Sequence, residues 1–186
     1  MMRPVRIIAG EFRGRTLLGP DGDVTRPITD RAKQSLFDVL SPRIDGARVY
    51  DCFSGTGSLG LECLSRGAAH ATFFDADRSA VLRLKRNIDA LGVRDRATVV
   101  AGDLFKWFDA TVPAARADLI FLDPPYRFLR EKPDDLQRWA RRAAEAHVAS
   151  GAVVVFRHDA ADALALPPLR AVDRREYGAM VIELLG

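Results

Sequence analysis

Apolar residues recur along this chain with two different periods. Short runs rich in β-branched and aromatic side chains, "RVYDCF" (48–53), "HATFFDAD" (70–77), "ATVVAGD" (97–103), "ADLIFLDPP" (117–125) and "GAVVVFRH" (151–158), read as buried strands. Between them lie stretches with helical signals: "GSLGLECLSR" closed by Gly67, residues 78–91 closed by Gly92, a short turn near 104–109, and 134–149. Upstream, "TRPITDRAKQSLFDVL" (25–40) predicts a helix with Thr29 or Asp30 as N-cap and Ala32, Leu36, Phe37 and Leu40 at helical spacing. "VRIIAGEFRGRTLL" (5–18) predicts a hairpin or extended arm turning near Gly10, and "LRAVDRREYGAMVIELL" an antiparallel hairpin turning near Tyr177-Gly178. Strands alternating with helices imply an α/β chain whose parallel sheet is covered on both faces. A length of 186 residues fits one domain.

Ligands of such sheets sit outside the carboxyl ends of the strands. Asp51, Asp75, Asp103 and Asp123 fall at four of those ends. After the first of these strands, "DCFSGTGSLG" spaces Gly55, Gly57 and Gly60 as G-x-G-x-x-G, with Asp75 the expected distance downstream. Alone, this motif fits a dinucleotide as readily as another nucleoside cofactor. Asp51 separates the two. A carboxylate before the helix repels a pyrophosphate, which needs free N–H groups and a positive dipole end. It attracts the ammonium and sulfonium of S-adenosylmethionine (SAM). On this reading the glycines let the backbone approach the ligand closely. Asp75, in preference to Asp77, accepts from ribose hydroxyls, and Asp103 with the Leu104 backbone meets the adenine amine. Phe53, inside the loop, belongs with the cofactor-binding residues.

"DLIFLDPPYR" (118–127) ends a buried strand in an acid, two prolines and a tyrosine. Proline donates nothing to a strand ladder, so the run stops here in a stiff turn. An exocyclic aromatic amine is a poor nucleophile because its lone pair is delocalised into the ring. Two acceptors that hold its N–H groups out of plane expose that lone pair. The Asp123 carboxylate and the Pro124 carbonyl, stiffened by Pro125, supply such a pair, and Tyr126 can stack on the base. Catalysis on this reading is orientation in a dry pocket. The turn does not distinguish guanine N2 from adenine N6 or cytosine N4.

Composition adds less. The chain is 48% apolar and 28% charged, an ordinary globular profile. Cys52 and Cys63 lie outside any metal-ligand spacing, and no metal site is expected. No signal-like or membrane-length apolar run occurs, so a cytoplasmic protein with reduced cysteines and no membrane partner is expected. Net charge is +3, and the arginines cluster on either side of the motifs: Arg3, Arg6, Arg13 and Arg15 before them, Arg127 to Arg142 after the proline turn. Two basic clusters flanking one candidate site point to a polyanion. His70, His147 and His158 are expected to be surface or structural residues.

Together, "RIIAGEFRGRTL", "TRPITDRAKQSLFDVL", "DCFSGTGSLGLECLSRGA" and "LIFLDPPY" resemble the bacterial 16S rRNA guanine-N2 methyltransferases of the RsmD type, over nearly the whole chain. The resemblance implies a three-layer, Rossmann-like methyltransferase fold with a seven-stranded, mostly parallel sheet and a reversed last strand. It implies SAM as cofactor and methylation of one guanine in 16S rRNA, expected within small-subunit particles and by a monomer. By position, Asp51, Phe53, Gly55, Gly57, Gly60, Asp75 and Asp103 match the cofactor site, and Asp123, Pro124, Pro125 and Tyr126 the catalytic turn. Thr29, Asp30 and Arg31 fall in the segment that closes over the cofactor. Residues 1–24 form the expected RNA-contacting arm, with Arg6, Arg13, Arg15, Arg26, Arg31 and Arg127 as expected phosphate contacts. An N6-adenine methyltransferase acting on DNA or RNA is the rival reading.

Overall fold

Five strands run parallel through the centre of the computed structural model, which describes residues 5–20 and 28–186. They are β3 (Arg48–Cys52), β4 (His70–Asp75), β5 (Ala97–Ala101), β6 (Ala117–Leu122) and β7 (Val148–Asp159). The C-terminal hairpin, β8 (Ala171–Tyr177) and β9 (Met180–Leu185), completes a seven-stranded sheet of order β5-β4-β3-β6-β7-β9-β8. β9 enters between β7 and β8 and is antiparallel to both. A separate two-stranded ribbon, β1 (Val5–Arg6) with β2 (Thr16–Leu17), forms the predicted N-terminal hairpin. Arg3 and Arg26 lie outside the described residues.

Each sheet face has its own core. Val49, Phe73, Leu119, Phe121, Val153, Val155 and Ile182 pack beneath α1 (Asp30–Leu40), α2 (Ser58–Ser65) and α3 (Arg78–Leu91). The alternate residues Tyr50, Cys52, Phe74, Ile120, Leu122, Val154 and Phe156 face α4 (Leu104–Ala110) and α6 (Pro133–Arg142), with a one-turn α5 (Phe128–Glu131) before it. This period-2 alternation explains why the strands read as unbroken apolar runs.

The first helix starts where its cap says. Thr29 Oγ1 accepts from Ala32 N–H at 3.2 Å, so α1 begins at Asp30, well after residue 25. The predicted helix over 134–149 is corrected only at its end: α6 reaches Arg142 and continues as a π-helical turn over Ala143–His147, and β7 begins at Val148. Tertiary packing overrides the local pattern. The His147 ring lies 4.2 Å from that of Phe108 in a buried aromatic cluster, while Val148 pairs with Ala117. His147 and His158 are both buried, and His70 meets Thr98 Oγ1 at 2.9 Å, consistent with structural roles.

The N-terminal arm is pinned by one acid. Glu62, fully buried on α2, accepts from Ile8 N–H (2.8 Å) and Ala9 N–H (3.0 Å), and pairs with Lys33 of α1 and with Arg66. Lys33 Nζ also donates to the Arg6 carbonyl and to Ser58 Oγ, both at 3.1 Å. Burial holds the Lys33 pKa below its usual range, although Glu62 pulls it back up. Arm, α1 and the helix after the glycine turn therefore share one buried polar network. Glu62→Ala strands two cations and two backbone donors, and should cost about 3 kcal/mol or more in urea denaturation. A loss below about 1 kcal/mol would show that the network is solvated.

Candidate active site

The glycine turn leaves β3 through strained backbone. Phe53 has φ 60°, in the left-handed region that side chains rarely adopt. Its ring is nonetheless held edge-on against Phe105, after β5, and Phe128, after β6, at 6.1 and 5.6 Å. One aromatic side chain thus ties together the segments that follow β3, β5 and β6. Ser54 N–H donates to the Phe74 carbonyl (2.9 Å) and Gly55 N–H to Asp75 Oδ2 (2.7 Å), fixing the turn against the tip of β4.

The three glycines have different reasons to be glycine. A Cβ on Gly60 would stand 2.4 Å from the Phe73 ring, and one on Gly57, at φ 86°, 2.4 Å from Leu84 Cδ1. A Cβ on Gly55 would meet nothing within 4 Å. Close approach at Gly57 and Gly60 is therefore to the protein's own side chains, and only Gly55 borders open space. The sequence reading treated all three alike.

Asp51 is buried behind this turn and accepts from Gly60 N–H at 2.8 Å. Its pKa is pushed up to about 8, chiefly by desolvation, with the Gly60 hydrogen bond opposing and Asp123 and Asp75 adding to the rise. Asp75 is half-buried, with Oδ1 accepting from Asp77 N–H (2.9 Å) and Oδ2 from Gly55. Burial raises its pKa too, against those hydrogen bonds. Asp77 and Asp103 cap α3 and α4, accepting from Ala80 and Lys106 N–H at 2.9 and 3.2 Å. Leu104 turns its side chain into the core. A cavity of about 430 Å³ opens beside the tips of β4 and β5, lined by Ala76, Arg78, Val81, Leu82, Ala101 and Gly102.

The proline corner is next door. Asp123 N–H donates to the Cys52 carbonyl at 3.3 Å, which fastens the corner directly to the root of the glycine turn. Pro124 is buried and Pro125 exposed, and the Pro125 carbonyl accepts from Phe128 N–H at 2.8 Å. One partner was missed from the sequence. Arg157 on β7 clamps the Asp123 carboxylate, Nε to Oδ1 at 2.7 Å and Nη2 to Oδ2 at 2.6 Å. An arginine in step with the buried valines of "VVVFRH" was the signal.

The expected phosphate contacts are scattered. Arg6 pairs with Asp30 (2.7 Å), Arg15 donates to the Ala90 carbonyl (2.7 Å), and Arg127 pairs loosely with Glu131 (3.7 Å). Arg13 and Arg31 are exposed. Thr29 and Arg31 lie away from the glycine turn in chain order, lining a cavity of about 510 Å³ with Ala32, Ser35, Glu176 and Tyr177. Among the described residues no helix is long and apolar enough to cross a membrane.

A dinucleotide-binding sheet has six parallel strands in the order 3-2-1-4-5-6. Here an antiparallel strand is wedged in before the last one, and a proline corner adjoins the first turn. That combination places the chain among the Rossmann-like methyltransferases, whose methyl donor is SAM. More narrowly, it belongs to the family described as Conserved hypothetical protein 95, whose model matches residues 5–186. The RsmD-type resemblance is thereby upheld. The chain is 40% identical over 123 residues to "Ribosomal RNA small subunit methyltransferase D" of Escherichia coli, covering 66% of this chain and 61% of that protein. Its Haemophilus influenzae namesake is 38% identical, covering 67% and 65%. The solved structure of yhhF from Escherichia coli, described as a candidate methyltransferase, superposes with TM-score 0.84 at 30% identity, covering 98% of this chain and 97% of that one.

The residues present suit SAM. Among the described residues Ser54 Oγ, buried in the glycine turn, has no hydrogen-bond partner and is available to the polar end of an amino-acid ligand. Asp51 lies behind it and Gly55 leaves room in front.

The raised Asp51 pKa makes stability depend on pH. Between about pH 4 and 8 the folded chain keeps a proton that the unfolded chain has lost, so this group's contribution falls as pH rises and levels off above about 8. Asp51→Asn, which keeps the acceptor for Gly60 N–H, should lack that decline. Urea denaturation at several pH values is expected to show the variant gaining on wild type as pH rises to about 8. Parallel curves would contradict the assignment.

Proposed function

We propose that this chain methylates the N2 amine of a guanine in small-subunit ribosomal RNA, with SAM as donor, acting on small-subunit particles. One observation carries the reading: the Asp123-to-Cys52 backbone hydrogen bond, which puts cofactor turn and proline corner side by side at one rim. The names of the relatives at 38–40% identity supply the RNA class.

In this reading Ser54 and the backbone around Gly55 receive the amino-acid end of the donor, and Asp51 lies beneath it, where the positive charge of the donor favours loss of the carboxyl proton. Asp75 faces the ribose, and the cavity beside Gly102 takes the adenine, with Asp103 and the Leu104 backbone at its edge. SAM supplies an electrophilic methyl on a sulfonium. Asp123 and the Pro124 carbonyl accept from the target amine and turn its lone pair toward that methyl. Tyr126 stacks on the base, and the loops tied by Phe53 keep water out. Such alignment supplies much of the acceleration in transfers between two bound reactants. Arg13 and Arg31, exposed on the arm and α1, are the phosphate contacts this surface favours, with Arg6, Arg15 and Arg127 also near solvent. A base in a loop or splayed end is the form of RNA such a site reads.

Incubation with labelled SAM and undermodified small-subunit particles, followed by nucleoside digestion, should place the label on N2-methylguanosine. Label on N6-methyladenosine, or faster labelling of free duplex DNA, would establish the rival enzyme. Asp123→Ala is expected to keep SAM affinity in calorimetry while methyl transfer drops about 100-fold or more. Near-normal turnover in that variant would refute the orientation role.

A further inference from the structure

Arg157 stands where its strand otherwise turns valines into the core. Val153, Val155 and Arg157 alternate onto the α1 side of β7. Its guanidinium grips Asp123 through two hydrogen bonds, and the two side chains are only 13% and 16% exposed. Burying an ion pair carries a desolvation cost that apolar side chains of similar volume avoid, often at no loss of stability. Packing therefore does not account for the pair. The guanidinium also lies within electrostatic reach of Asp51 and Tyr126, so it sits among the groups assigned to donor and base.

We propose that Arg157 is the positioning residue for methyl transfer, acting through Asp123 by clamping its carboxylate in a single orientation. The inference deepens the function proposed above and rests on it. A carboxylate offers about four acceptor positions. Arg157 occupies two of them, which leaves the carboxylate free to accept one N–H of the target amine in a geometry fixed before the base arrives, while the Pro124 carbonyl accepts the other. A free carboxylate would rotate about its Cβ–Cγ bond and lose that aim. In the transfer, the amine lone pair forms the new N–C bond, the C–S bonding pair returns to sulfur, and the surplus proton on nitrogen passes to bulk water as the methylated base leaves the site. Asp123 thus aligns the amine and takes no proton from it.

The test compares wild type, Arg157→Lys and Arg157→Ala on undermodified small-subunit particles with labelled SAM. Lysine cannot reproduce a planar two-point clamp. We expect kcat to fall about 100-fold in both variants, with KM for particles and calorimetric SAM affinity unchanged. Free guanidinium ion, but not methylammonium, should restore much of the Arg157→Ala activity. Independently of turnover, the Arg157 Nε–H resonance of the cofactor-free protein should exchange slowly with solvent and lose that protection in Asp123→Ala. A kcat within about threefold of wild type in Arg157→Lys would overturn the proposal. So would a parallel loss of melting temperature, SAM affinity and kcat without guanidinium rescue, which marks a structural pair. If wild type itself leaves the particles unlabelled, the substrate reading fails first and takes this inference with it.

Discussion

The pairing of β3 with β6 is the constraint on which the site depends. Their register sets Cys52 beside Leu122, so the chain leaves both strands at the same height. The next backbone donor, Asp123 N–H, closes on the Cys52 carbonyl. Two loops seventy residues apart in sequence thus become neighbours through main-chain hydrogen bonds, with no side chain required. A slip of one residue in β6 would turn Asp123 to the opposite face of the sheet from Asp51, away from α2 and the glycine turn.

Acids crowd this rim, and the fold manages them individually. Asp51 is buried and protonates near neutral pH, while Asp75 is held by two backbone N–H groups. Asp77 and Asp103 cap helices, and Asp123 is answered by a guanidinium. Like charges so close together would otherwise oppose folding. A bound cation is the natural complement to an arrangement with Asp51 at its centre. Away from the rim, Glu62 performs a related task by holding arm, α1 and α2 together, so the helix that follows the glycine turn is braced from behind.

Much of this was legible in the chain. Alternating strand and helix patterns, the Gly92 stop, the Tyr177-Gly178 turn and the acids at strand ends follow from local chemistry, and each appears where expected. The misreading of Val148 and Ala149 as helix has a physical cause. The helix runs on through a π-helical turn to His147, whose ring packs against Phe108, and Val148 then pairs with Ala117 in the sheet. Helix propensity is a weak preference that such packing readily reverses.

Sequence alone determined the fold class, the donor chemistry and the place of the proline corner, because periodicity, glycine spacing and a proline pair act over a few residues and need no distant partner. Tertiary structure decided which groups those motifs would meet. Only the sheet order brings Arg157 from β7 onto Asp123, and only helix packing shows that Gly60 yields to Phe73. Burial sets the Asp51 charge, and burial is a property of the whole fold, since it depends on everything packed around the carboxylate.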